Sequence, residues 1–406
     1  MIGEFFSQKF PALAYRYYRL YWLGSFASVG ASLLITMGLG WLIFELTRSP
    51  IYLGLLGAAI ALPNLALSAF GGVLADRFNK KTLLMLTSGL SLVLMLVVTA
   101  LDYLEWITVW QVLLAAACYS LLTGIDWPTR SAIFPLLVDR VAMPSAVALN
   151  AFIWQSMRMA MPAIGGILIS VVDTWLIFFL GAVGFAIMCI VVNMISVDTP
   201  EASKNSPWRE LIEGFKFVWQ TPQFKIILGL SFSAMFFLQS YVQVLPALAD
   251  MLGSGERGFG YLMSAGGLGS VVGALLLASF QGDRHDGHIL SSGVAATGFI
   301  CVFVFCVQMG WFNSSLFAVF LASALHSVFM IKTMTLMQIN VPDELRGRVM
   351  GIHSMTFSFM PLGGLFLGGL GEFWGVDYAL LLSALIYLGI LLIVLAGFRQ
   401  LLRDPA

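Results

Sequence analysis

Gly72-Val-Leu-Ala-Asp76-Arg77-Phe-Asn79-Lys80-Lys81 joins two apolar runs, 52–74 and 82–101, through a few polar residues. Each run has the roughly twenty residues that a helix needs to cross the hydrocarbon core. The stretch between them reads as a tight connection between two membrane helices. Gly72 lets the helices approach, Asp76 suits the positive end of a neighbouring helix, and the cations anchor to a membrane surface. The rest of the 406-residue chain fits that solvent. It is 59% hydrophobic and only 10% charged, with a mean hydropathy of +0.92, whereas soluble domains carry about 25% charged residues.

Further runs of this kind fall at 20–45, 108–131, 146–168, 174–195, 223–248, 258–281, 289–308, 313–338, 348–371 and 377–400. Twelve spans put both termini on one side. Of the 21 Lys and Arg, 17 fall in segments on the side of the termini, only Arg48 and Arg257 on the other, and Arg158 and Lys332 inside spans. The positive-inside rule then makes both termini cytoplasmic. The first run begins after Arg16 and Arg19 and lacks a small-x-small cleavage site, so it reads as a transmembrane helix rather than a signal peptide. A zero net charge argues against nucleic acid as a partner. Cys118, Cys189, Cys301 and Cys306 stand singly without metal-type spacing, and no cofactor is expected.

The chain divides into an N-terminal six-helix half (1–195), a cytoplasmic linker (196–222) and a C-terminal six-helix half (223–406). Within the linker, Leu211, Ile212, Phe215, Val218 and Trp219 recur at helical spacing, the pattern of an amphipathic helix lying on the inner leaflet. The halves echo each other: Pro162, Gly165 and Gly166 in span five correspond to Pro361, Gly363 and Gly364 in span eleven. A duplicated unit of this kind suits alternating access.

The connection from Gly72 to Lys81 resembles the loop signature of the major facilitator superfamily, G-x-L-a-D-R-x-G-R-K, with Asn79 replacing its internal glycine. Asn tolerates a left-handed backbone, so the turn is expected to survive. Gly282-Asp283-Arg284-His285-Asp286 resembles a decayed second copy. A finer resemblance, to the enterobactin-exporter and macrolide-efflux branch, rests on three stretches. They are Asp126-Trp-Pro128-Thr-Arg130, Ala146-Val-Ala-Leu-Asn150 leading to Arg158 and Pro162, and Val341-Pro-Asp-Glu-Leu-Arg346-Gly-Arg348-Val. Two positions depart from the branch: Met161 replaces a glycine, and Gly30, Ala31 and Ser32 stand where span one often has an acid. The resemblance implies an all-α polytopic major facilitator fold, a monomeric drug:proton antiporter in the bacterial inner membrane. It also implies a conformational latch of Gly72, Asp76, Arg77, Lys80, Lys81, Asp126 and Arg130. There Asp76 meets the start of span eleven and Arg77 bridges to Asp126 in one state only.

Ionisable groups at membrane depth are costly, so each is a candidate site. Arg158 either binds backbone carbonyls and helix ends or meets an anionic substrate group. Lys332 either snorkels to the interface or contacts substrate. His326 either titrates during transport or packs through hydrogen bonds, and Glu45 carries a proton or sits at the interface. Gln239 and Gln243, one helical turn apart in span seven with Tyr241 close by, are polar candidates for substrate contact, because the resembled family lines its cavity with spans one, four, seven and ten; Gln155 in span five is a further candidate.

No GxxxxGK[ST] loop is present, which excludes the usual ATP site. The four histidines form no His-Glu-x-x-His pattern, so the chain reads as a transporter rather than an enzyme. The leading expectation is proton-driven export of an amphipathic small molecule, a drug or a siderophore. Import of a nutrient on the same fold is the alternative, and a membrane enzyme or sensor the third.

Overall fold

A computed structural model describes residues 10–77, 79–196, 216–279 and 287–397, without the side chains of 68–77, 287–288 and 343–344. Among the described residues, twelve helices are long and apolar enough to cross a membrane. They are α1 (Arg16–Thr47), α2 (Pro50–Arg77), α3 (Lys80–Tyr103), α4 (Val109–Ile133), α5 (Met143–Val171) and α6 (Thr174–Met194). There follow α7 (Pro222–Met251), α8 (Gly255–Ser279), α9 (Gly287–Gln308) and α10 (Phe312–Asn340). Last come α11 (Asp343–Met355, then Phe359–Trp374 after a 3-10 turn) and α12 (Val376–Gly397). Every run read from the sequence is matched by one of them. The linker's amphipathic helix falls outside the described residues up to 215, and residues 216–220 are helical. The second loop copy at 282–286 also lies outside them.

Cα proximity divides the chain into two compact units, Met1–Leu42 with Leu62–Pro207 and Ile43–Ala61 with Trp208–Ala406. In the first unit, small residues of α6 seat α1 closely: a Cβ at Gly184 would lie 2.8 Å from the Ala27 carbonyl, and one at Gly181 2.7 Å from the Ile35 side chain. In the second unit, a Cβ at Gly269 or Gly273 of α8 would overlap the Phe320 or Ala324 carbonyl of α10. Small residues at such crossings maximise van der Waals contact where lipid gives no hydrophobic drive between helices. Large apolar side chains such as Leu86, Val93, Leu114, Ile190, Leu275, Phe317 and Ile393 are exposed. Lipid is the solvent that satisfies them.

Eleven of the helices run in one or two regular pieces, and α7 does not. After Ser233 it widens to a π-helix (Ala234–Leu238), tightens to a 3-10 helix (Gln239–Val244) and resumes as α-helix at Leu245–Met251. The Ser383 hydroxyl of α12 donates 2.7 Å to the Phe237 carbonyl there, satisfying one backbone group in the irregular stretch.

Candidate functional site

The first unit gathers its polar residues around the start of α1. The Tyr18 hydroxyl donates 2.9 Å to the Ala146 carbonyl, and the Trp22 indole donates 3.2 Å to that of Leu149. The stretch from Ala146 to Asn150 is thus where α1 docks on α5. The Tyr21 hydroxyl reaches the Arg130 carbonyl at 3.4 Å. Arg130 itself is buried. Its Nε donates to the Asp126 carboxylate one turn earlier on α4, and its Nη1 donates 2.8 Å to Ser28 Oγ of α1. Thr87 of α3 donates 3.0 Å to the other Asp126 oxygen. Asp126 and Arg130 therefore pair with each other along one helix face. The expected partner, Arg77, ends α2, and with Gly72 and Asp76 its side chain lies outside the described ones.

The connection before α3 does not use a glycine-like turn at Asn79. Asn79 adopts φ −59° and ψ 116°, not a left-handed conformation, and its Oδ1 accepts from the Lys81 and Thr82 amides at 3.0 and 3.2 Å. It is the N-cap of α3, a role for which a short polar side chain is preferred. Lys80 is half-buried in the first turn. Lys81 donates 2.6 Å to the Ile195 carbonyl and 3.2 Å to that of Asn193, so it caps the C-terminus of α6, where the dipole favours a cation. Nearby, the Tyr15 hydroxyl donates 2.8 Å to Asp139, whose carboxylate raises the phenol above its ordinary pKa.

In the second unit, the α1–α2 turn is fastened by residues the sequence reading had not linked. Arg48, at φ 48°, donates 3.1 Å to Asp250 at the end of α7 and lies over the Phe44 ring at 5.6 Å. Ser49 donates 2.6 Å to Glu372 of α11, and the Ile51 amide reaches the same oxygen at 3.4 Å. Glu372 thereby serves as an acidic cap for the start of α2. Below it, a Cβ at Gly57 would overlap the Pro361 carbonyl, and one at Gly54 would lie 2.8 Å from Leu365 Cα.

The polar candidates of α7 are not aligned as an α-helix would align them. Gln239 and Gln243 lie in the 3-10 segment, where four residues turn the chain well past one full turn. They do not share a face. Gln243 is half-buried against Gly364, and Tyr241 is buried with its hydroxyl 3.2 Å from Ser323 of α10. His326 is buried, its ring nearly parallel to Phe329 at 6.2 Å. Lys332 and Gln155 are half-buried, while Glu45 and Arg158 are exposed. Arg158 stands near the middle of α5. Among the described residues, no three His, Cys, Asp or Glu side chains stand close enough to hold a metal.

Twelve apolar spans and this signature loop define a transporter of the major facilitator type. Solved structures agree in fold: a nucleoside transporter, NupG, superposes with a TM-score of 0.75 at 14% identity, covering 95% of this chain and 99% of its own. A bacterial homologue of the iron transporter ferroportin, in an inward-facing state, gives 0.71 at 15%, covering 93% and 98%. The chain belongs to the transmembrane secretion effector family, whose model matches residues 7–404. It is 25% identical over 351 residues to the staphyloferrin A transporter of Staphylococcus aureus (strain NCTC 8325 / PS 47), covering 84% of this chain and 86% of that one. It is 24% identical over 350 residues to the enterobactin exporter EntS of Escherichia coli O81 (strain ED1a), covering 82% and 81%. The protein is a multi-pass inner-membrane transporter and not an enzyme.

Proposed function

We propose that this transporter exports an anionic, amphipathic small molecule of the siderophore class by alternating access, driven by the proton gradient. The observation that carries the reading is Arg158, exposed near the middle of α5. A guanidinium facing hydrocarbon at that depth is costly, so an exposed one argues for a watered path along this face. There its planar fork suits a carboxylate or another oxyanion. The names of two relatives, one a staphyloferrin A transporter and one an enterobactin exporter, support a siderophore as cargo. Gln155, one turn from Arg158, is proposed as a neutral contact for the rest of the molecule. Asp76, Arg77 and Asp126 remain proposed members of a latch at the signature loop.

The test compares secreted and intracellular small molecules in cells with and without the protein, before and after a protonophore. The panel contains siderophores, macrolides and cationic dyes. An anionic siderophore should leave the cells only when the protein is present, and stay inside once the gradient collapses. Arg158→Gln should lose most of that export, with Arg158→Lys retaining part. Accumulation inside would reverse the direction and favour uptake, while selective loss of a cationic dye would defeat the anionic reading.

A further inference from the structure

Every described helix that contains a carboxylate holds it within two residues of a helix end, with one exception. The exception is Asp126, seven residues before the end of α4, about 10 Å into the span at 1.5 Å per residue. Its side chain is only 15% exposed and that of Arg130 only 10%. An ion pair so placed is sensitive to water: neutralising one member leaves the other's charge without balance.

Beside it lies a cavity bounded by α1, α4 and α5. Its lining includes Tyr21, Ser25, Arg130, Ser131, Asn150 and Trp154, and it offers about 20 Å³ to the centre of a water molecule. That is enough for one water, which needs roughly 10–15 Å³ and two or more polar partners. The partners are in place. Ser25 Oγ, 2% exposed, completes no hydrogen bond although the Tyr21 phenol is its neighbour. The Arg130 guanidinium, engaged through Nε and Nη1, also lines this cavity. The wall is open to exchange on the side of Ser131, which is exposed.

We propose that this cavity binds water and makes Asp126 the proton-exchanging carboxylate of the first unit. The inference rests on the proton-driven reading above and gives it a residue. Water in the cavity against Arg130 supplies dipoles that balance the guanidinium once its carboxylate is neutralised. A hydronium arriving through the cavity then gives its proton to an Asp126 oxygen and leaves as water. The Nε–carboxylate ion pair becomes a weaker contact with a neutral acid, and Thr87 and Ser28 keep both side chains in place. In a state that closes the cavity, Arg130 lacks that hydration and the charged pair is favoured. Proton occupancy and hydration of this cavity are thereby linked, as any ligand that prefers one state must be. The groups that face the pair are Tyr21 and Ser28 from α1, Thr87 from α3, Tyr119 on α4 itself and Met188 from α6. Among these described neighbours Asp126 is the only carboxylate.

The test uses purified full-length protein in detergent and does not depend on cargo. Infrared difference spectra are recorded between about pH 4 and pH 9, a range spanning carboxylate and imidazole titration. The native-minus-Asp126→Asn difference should contain a protonated-carboxyl C=O stretch that titrates with pH, over and above the bands of the remaining carboxylates. That stretch should return, shifted in frequency, in Asp126→Glu, which guards against a fold defect. Ser25→Val, which fills the cavity with methyl groups, should slow hydrogen–deuterium exchange at that band at least tenfold while leaving the acid present. The absence of a titrating C=O component from that native-minus-variant difference overturns the assignment. Failure of export in cells with the band intact would instead count against the transport reading alone.

Discussion

Helices α5 and α11 carry the same proline–glycine signature in the two sequence halves, yet their backbones differ. Pro162 sits inside an uninterrupted α5 of 29 residues. Pro361 is the third residue of the second piece of α11, after a 3-10 turn at Thr356–Ser358. The difference follows from what each glycine meets. A Cβ at Gly165 would meet the Met37 sulfur at 2.8 Å and a Leu34 methyl at 3.0 Å, the movable ends of side chains. A Cβ at Gly363 would overlap the Phe236 carbonyl in the π-helical stretch of α7, and a backbone cannot move aside. One repeat uses its small residues to accommodate side chains, and the other to bring two irregular backbones together. A shared motif thus licenses close packing without deciding what is packed.

The same contrast holds for charge. Arg130–Asp126 in the first unit is buried, with side chains 10% and 15% exposed, whereas Arg48–Asp250 in the second is 59% and 50% exposed. Removing one partner of a buried pair costs about 3–5 kcal/mol, an exposed pair about 0–1 kcal/mol. Arg130→Ala should therefore lower the thermal midpoint in detergent sharply, and Arg48→Ala barely. Equal effects would break the comparison.

A smaller separation is expected between the glycines. Gly363→Ala should destabilise by about 1–3 kcal/mol through overpacking. Gly165→Ala should cost less, because Met is flexible enough to re-pack. Unfolding monitored by tryptophan fluorescence ranks the two, and the reverse order would show that the α7–α11 contact yields more easily than its geometry implies.

The finest test sets two helix starts against each other. Asn79 caps α3 through two amides, while Thr221 at the start of α7 makes no side-chain cap. Asn79→Ala should cost about 1 kcal/mol and Thr221→Ala close to nothing. Asn79→Gly should lie between native and alanine, since glycine at an N-cap loses only a few tenths of a kcal/mol relative to a good cap. Urea titration with a helical-signal readout is sensitive enough to order them. A destabilising Thr221→Ala would assign that helix start a partner in another state.

Much of the candidate site was legible only as residue types. Arg158 was conspicuous because a cation in an apolar run is rare, and the structure adds that it is exposed near the middle of α5. Asp126 and Arg130 stood out through the resemblance carried by Asp126-Trp-Pro128-Thr-Arg130, which directed attention to Arg77 as the partner of Asp126. Ser25 carried no signal: a lone serine in an apolar helix looks like any other until the cavity beside it is seen. Asp250 and Glu372 looked like ordinary polar ends, because their partners Arg48 and Ser49 lie 202 and 323 positions away. Gln239 and Gln243 misled through their spacing, since the helical period assumed for them fails where α7 changes its winding.

Hydrophobic run length is a local sum over consecutive residues, and a bilayer of fixed thickness converts it directly into spans. For that reason twelve helices, their alternation and the signature loop followed from the sequence by itself. Which carboxylate meets which cation, where α7 unwinds, and which serine faces a water-sized space depend on side chains brought together from distant positions. Those choices belong to packing, whose energies are set by contacts a few ångströms long between residues hundreds apart, and only the tertiary structure decided them.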